Sequence, residues 1–137
     1  MSEMNEVSKI LDFLKECQMF FMATCDGASP RVRPMGLVFP YKNKLMFGTS
    51  NNKDLWKQLQ SKPEMEICAC HEHKWLRLRG KVGFEKDREA RVAALEVNPS
   101  LKRMYNPDDG VFEVFYFESA TGAFEDMSGA PKRAITL

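Results

Sequence analysis

Apolar residues at Met4, Val7, Ile10, Leu11 and Leu14 recur at helical spacing, with Glu6, Lys9, Asp12 and Lys15 on the other side. That pattern predicts an amphipathic first helix with one face for a core and one for water. The period then shortens. Residues 19–24 form an apolar run of strand length, and the Asp26-Gly27 pair behind it signals a hairpin. Residues 30–39 read as a second strand. An interruption is expected at Pro34, which has no N–H to give to a ladder. The polar turn Tyr41-Lys42-Asn43-Lys44 leads into a third strand over 45–49.

Asn51 or Asn52 is placed to cap a short helix that runs to about Gln60 and is ended by Pro63. Residues 66–70 read as a fourth strand. The alternation is clearest from Trp75 to Phe84. Leu76, Leu78, Gly80, Val82 and Phe84 point one way; Trp75, Arg77, Arg79 and Lys81 point the other. Asp87 is the expected cap of a helix reaching Val97, with Val92, Ala94 and Leu95 turned inward. Asn98-Pro99 breaks it, and 106–110 is rich in turn residues. Residues 111–117 predict a strand, 120–124 its hairpin partner around 119–122, and 134–137 a short last strand. Short connections and two hairpin signals favour antiparallel pairing. The expected fold is mainly β with flanking helices, and closing the sheet into a barrel would remove its exposed edges.

A length of 137 residues fits a single domain spanning 1–137. With 44% hydrophobic and 28% charged residues the profile is that of a globular chain. The net charge is +1, so no global field draws nucleic acid or an anionic membrane, and neither is expected as a partner. Any anion site has to be local. No apolar run approaches the ~18 residues of a spanning helix. Residues 1–15 read as an amphipathic helix rather than an export signal, so a cytoplasmic protein is expected. Cys17, Cys25, Cys68 and Cys70 sit mostly inside apolar runs, which predicts reduced, buried thiols.

The segment Cys68-Ala69-Cys70-His71-Glu72-His73 invites a metal reading. On a strand its cysteines face one side and its histidines the other, so the four do not converge, and no metal site is expected. The same alternation separates Cys70 from His71 as a nucleophile and its base. No Ser/His/Asp set is evident either, and no catalytic side chain is identified. The stripe Trp75, Arg77, Arg79, Lys81 fits a dimer interface or a solvated barrel face.

Two segments offer chemistry for an anionic, planar ligand. In Arg31-Val32-Arg33-Pro34-Met35-Gly36, two arginines share a strand face, and each carries a donor fork suited to phosphate. Pro34 and Gly36 break the ladder, and Gly36 lets a flat ring approach. The same residues also fit a solvated edge strand. In Thr49-Ser50-Asn51-Asn52-Lys53, hydroxyls, a lysine and the free amides of a helix start converge, a combination that favours phosphate. An ordinary cap and loop would look alike.

In their order along the chain, these segments resemble the pyridoxamine 5′-phosphate oxidase-like family of FMN-binding split barrels. The similarity is to the short branch that includes nitroimidazole-reductase-like proteins. It rests on residues 30–36, 45–53 and 75–81 and covers about 4–124. The resemblance implies FMN as cofactor. Arg33, Pro34, Met35 and Gly36 match the strand that lines the isoalloxazine and reaches toward the phosphate. Thr49 and Ser50 match the strand end beside ribityl and phosphate, and Lys53 matches the lysine that pairs with the phosphate. Trp75, with Arg77 nearby, matches the position that reaches the flavin from a partner subunit, so a homodimer is implied. The implied activity is FMN-dependent oxidoreduction of a small molecule, possible substrates including nitroimidazoles. The alternative is a flavin or heme carrier or sensor without turnover. The full-length oxidases bear a C-terminal arginine-containing extension for their substrate. Here the sequence ends at Lys132-Arg133-Ala134-Ile135-Thr136-Leu137, so oxidation of pyridoxamine phosphate is not expected.

Overall fold

Val7, Ile10, Leu11 and Leu14 form one buried stripe along the first helix, α1, Ser2–Cys17. The computed structural model describes residues 2–137, with side chains from Glu6 onward. Met4, predicted for the same stripe, therefore has its side chain outside the described residues. Strands β1 (Phe20–Asp26) and β2 (Ser29–Met35) follow as a hairpin whose turn, Gly27-Ala28, places Gly27 at φ +61°. Strands β3 (Val38–Tyr41) and β4 (Lys44–Ser50) are joined by Lys42-Asn43, both at positive φ, as a tight hairpin of matching twist requires. Then come α2 (Asp54–Ser61), β5 (Glu64–His71), β6 (Lys74–Glu85) and α3 (Arg88–Val97). A 3-10 turn over Pro99–Arg103, strand β7 (Phe112–Asp126) and strand β8 (Arg133–Thr136) complete the order.

All eight strands belong to one antiparallel sheet, ordered β2-β1-β5-β6-β7-β4-β3, with β8 against the far half of β7. The two ends of that order, β2 and β3, are consecutive in the chain and meet across Gly36-Leu37. The sheet therefore curls back on itself, giving the antiparallel split barrel that the resemblance implied.

Alternation explains the core. Inward residues Phe20, Met22, Phe47, Ile67, Leu76, Leu78, Phe115 and Phe117 fill the barrel together with Val7, Ile10 and Leu14 of α1 and Leu55 and Leu59 of α2. Phe47 sits at the centre, 5.8 Å from Phe20 and 5.6 Å from Phe115, ring to ring. A second cluster lies under α3, where Leu37, Phe39, Met46, Phe112 and Val114 meet Ala90, Ala94 and Leu95. Strand β4 and the first half of β7 are thus covered on both faces, which is why 45–50 is buried at every position. The outer face of β2, β1, β5, β6 and the far half of β7 has no such cover. Phe21 and Val32 there are 48% and 68% exposed.

Several expectations need correction. The second strand does not break at Pro34, which pairs with Phe21; the break comes at Gly36-Leu37. Strand β2 ends the sheet order, and an edge position tolerates a residue without an N–H. The predicted hairpin around 119–122 does not exist. Residues 112–126 are one strand, long enough to pair with β6 throughout and with both β4 and β8. Its small residues mark close strand contact, not a turn. Helix α2 is capped by the backbone of Lys53, not by Asn51 or Asn52, and no side chain bonds to its cap. The inward residues of α3 are Ala90, Ala94 and Leu95; Val92 is half-buried. The four cysteines are free, but none is fully buried, and Cys70 is exposed.

Candidate functional site

The side chain of Arg33 leaves β2 on the same face as Met22, the residue it pairs with, and so points under α2 rather than outward. One terminal nitrogen, Nη1, donates to the Met22 carbonyl at 3.3 Å and to Thr24 Oγ1 at 2.7 Å. The other, Nη2, donates to Gln58 Oε1 at 2.8 Å, and the Thr24 hydroxyl donates to that same oxygen at 2.6 Å. A guanidinium has five N–H donors; three are used, leaving two unpaired among the described residues. Burial lowers the Arg33 pKa, while the carboxylate of Asp54 pushes it back up and the charge of Arg31 adds to the lowering. The guanidinium therefore lies within electrostatic reach of Asp54, the first residue of α2.

Thr49 and Ser50 end β4 just before that helix, and both are buried. Ser50 Oγ donates to Asn52 Oδ1 at 2.5 Å, and the Lys53 amide donates to the Ser50 carbonyl at 3.2 Å, which tightens the turn into α2. Asn51 faces away, donating to the Gly110 carbonyl and to Glu113 Oε2. Lys53 is exposed and forms no ion pair among the described residues. The first-turn amides of α2 carry no side-chain cap, so the positive end of the helix stays available, tempered by Asp54.

The predicted residues divide into two groups. Thr49, Ser50 and Lys53 stand at the start of α2, while Arg33 bonds to Gln58, the fifth residue of that helix. Met35 points inward and packs on the barrel core, while Pro34 and Gly36 are exposed. A Cβ built on Gly36 would meet nothing within 4 Å, so the space beside it is open. Arg31 shares the face of Arg33 but reaches back to Asp26 at 3.8 Å. Trp75 and Arg77 stand apart on the outer face. Trp75 pairs with Glu125 at one end of β7, whereas Ser50 pairs with Phe112 at the other, thirteen residues away.

Thr24 and Gln58 escaped the sequence reading. Their signal was a polar residue on an apolar stripe: Thr24 follows Phe20 and Met22 on β1, and Gln58 lies between Leu55 and Leu59 on α2.

The outer face carries charges of both signs. Glu66 opposes Arg79 across β5 and β6, and Arg77 Nε lies 3.7 Å from Glu125. Two clefts cross this face. One of about 450 Å³ runs between Ala23, Pro30, Glu66 and Arg79, and one of about 510 Å³ between Arg77, Thr121, Glu125 and Lys132. Cys68 and Cys70 share this face, and burial together with the neighbouring Cys70 pushes the Cys68 thiol up, away from thiolate. His73 lies in the β5–β6 turn at φ +68°, and His71 at the strand end is 3.6 Å from Glu16. Among the described residues, no three of these ligand types gather closely enough to hold a metal.

Comparison with known proteins gives three findings. The family model described as pyridoxamine 5′-phosphate oxidase matches residues 7–133. No curated protein matches the sequence. Among solved structures, a NimC/NimA family protein from Clostridium acetobutylicum is 40% identical at TM-score 0.90, covering 96% of this chain and 93% of that one. Two more distant structures share the fold. A pyridoxamine 5′-phosphate oxidase-related, FMN-binding protein from Nostoc punctiforme is 14% identical at TM-score 0.70, over 94% and 87% of the two chains. A heme-binding protein from Mycobacterium smegmatis is 16% identical at TM-score 0.72, with this chain spanning 58% of its length.

Proposed function

This chain belongs to the pyridoxamine 5′-phosphate oxidase family, and from that premise we propose that it binds FMN non-covalently at the start of α2 and works as an FMN-dependent oxidoreductase. One observation carries the placement: a guanidinium with two unpaired donors is held against α2 by Gln58, on a helix whose start has no side-chain cap and is preceded by the exposed Lys53. That donor set fits a phosphate monoester. The two N–H groups of Arg33 and the ammonium of Lys53 would bind its oxygens, with the first-turn amides of α2 completing the cradle. Thr49 and Ser50 would border the ribityl chain. The open space beside Gly36, flanked by Pro34, suits a flat ring, since nothing in the chain's own packing requires glycine there.

Bound there, FMN would supply two-electron redox chemistry to a small-molecule substrate, nitroimidazoles being the class to test first. No acid or base of this chain is assigned a proton transfer. Arg33, Thr49, Ser50 and Lys53 would bind, orient and desolvate the cofactor.

The proposal includes a homodimer. Trp75 pairs with β7 thirteen residues from the position that Ser50 pairs with, which supports a reading in which a second copy brings Trp75 and Arg77 to the site. The outer face supports this, with exposed Phe21 and Val32 beside charges of both signs, a pattern that can complement itself about a two-fold axis.

A second reading is a cofactor carrier without turnover. The heme-binding neighbour of the same fold favours it. The visible spectrum of the purified protein, followed by reconstitution with FMN or heme, tests both. Flavin bands that bleach with NAD(P)H and return with an acceptor support the enzyme. Bound cofactor inert to donors supports the carrier, and no uptake of either sinks both.

A further inference from the structure

Thr24, Thr49, Ser50 and Gln58 are the buried polar side chains among the described residues; Thr49 and Ser50 end β4 before α2, and Thr24 and Gln58 bond to Arg33. Two of them, Thr24 and Gln58, have no part in the reading above. Burying a polar side chain costs free energy unless it is hydrogen-bonded, and the neighbouring positions of the same stripes hold Phe20, Met22, Leu55 and Leu59. We infer that Thr24 and Gln58 are positioning residues that make the site selective for a phosphorylated flavin, by fixing the Arg33 guanidinium between β1 and α2 with two N–H groups left unpaired.

The hydrogen-bond chemistry admits one arrangement. A guanidinium only donates, so Gln58 has to turn its carbonyl oxygen toward Arg33. The Thr24 hydroxyl accepts from Arg33 and passes its own proton toward the same Gln58 oxygen. The ring of three bonds closes on the Thr24 hydroxyl and the Gln58 oxygen, leaves two Arg33 N–H groups unpaired, and ties β1, β2 and α2 together. A long arginine side chain otherwise has rotamer freedom worth a substantial share of any single bond to phosphate. Here that freedom is removed before a ligand arrives, the general advantage of preorganisation.

The inference rests on the proposed phosphate role of Arg33, and the experiment separates the two. Apo-protein is titrated with FMN and with riboflavin, which lacks the phosphate. Thr24→Val and Gln58→Leu are each expected to weaken FMN binding about tenfold, the scale of one charge-assisted hydrogen bond, and to leave riboflavin affinity unchanged. Thr24→Ser, which keeps the hydroxyl, should retain the wild-type preference. In an Arg33→Ala background neither Thr24→Val nor Gln58→Leu should weaken FMN binding further. Equal losses for both flavins, or an unchanged FMN preference in Thr24→Val and Gln58→Leu while Arg33→Ala abolishes it, overturn the positioning role alone. An unchanged preference in Arg33→Ala overturns the phosphate role of Arg33 and the inference with it. Should Gln58→Leu fail to fold, the Thr24→Val and Thr24→Ser pair decides.

Discussion

Gly122 on β7 lies so close to Arg77 on β6 that a Cβ on the glycine would stand 1.9 Å from the Arg77 carbonyl oxygen. Gly80 of β6 takes the reciprocal position, with the Ser119 carbonyl oxygen 1.9 Å from its would-be Cβ. The two glycines let the longest pair of strands run in close contact just before their register shifts between Lys81 and Val82. Gly122→Ala would push the backbones apart and should cost about 1–3 kcal/mol of stability, the usual penalty of overpacking. Urea unfolding measures it, and a wild-type midpoint would show that the strands part freely there.

Lys53 is exposed and unpaired among the described residues, so its removal should leave folding intact. Lys53→Ala is expected to weaken FMN binding by about 1–3 kcal/mol. Fluorescence titration with FMN reads the change, and unaltered affinity would take Lys53 out of the site.

The homodimer has its own test. Phe21→Arg places a charge in the middle of the proposed interface, at a position already 48% exposed in the single chain. The variant should sediment as a monomer and lose FMN affinity, because Trp75 and Arg77 no longer arrive from the second copy. A monomeric variant with full FMN affinity would show that the site is complete within one chain.

Phe47 is fully buried and stacks on Phe115 at 5.6 Å. Phe47→Ala should destabilise the protein by about 3–5 kcal/mol through lost burial and the cavity left behind. Thermal and urea denaturation report it directly, and a loss below ~1 kcal/mol would mean that the barrel collapses around the gap.

The surface pair Lys42–Asp87 predicts a pH window. The hydrogen bond and charge of Lys42 hold the Asp87 carboxylate below its ordinary pKa, and the hydrogen bond that Lys42 donates to Asp87 raises its own. The depressed carboxylate stabilises above its unfolded value of ~3.9 and loses that effect as pH falls through its lower folded value. The raised ammonium stabilises below ~10.4 and loses its effect as pH rises through its higher folded value. The pair therefore acts across the neutral range. Asp87→Asn should lower the urea midpoint slightly at pH 7, and the gap to wild type should shrink toward pH 3. A gap of equal size at both would remove the ion pair as its cause.

The candidate residues were legible because their chemistry sits in short segments. Local residue types single out Arg33, Thr49, Ser50 and Lys53. The fold sets the last three at the start of α2 and Arg33 against Gln58 of the same helix. Thr24 and Gln58 were missed because a threonine on a strand and a glutamine on a helix are ordinary until their stripes are known to be buried. The hairpin expected at 119–122 has the same root. Glycine and serine in a row mark a turn or a close strand contact equally well, and only the presence of β6 alongside decides.

The sequence by itself determined the apolar face of most elements, the tight turns at Gly27 and at Lys42-Asn43, and the antiparallel pairing. Those features follow from periods of two and 3.6 residues and from backbone angles, all local quantities. The tertiary structure decided that β7 is one strand serving three partners, and that the Arg33 guanidinium is held by residues from two other elements. It also decided that Trp75 stands at the opposite end of β7 from Ser50. Each of these depends on which distant segments share a surface, and periodicity along a chain carries no record of its neighbours across it.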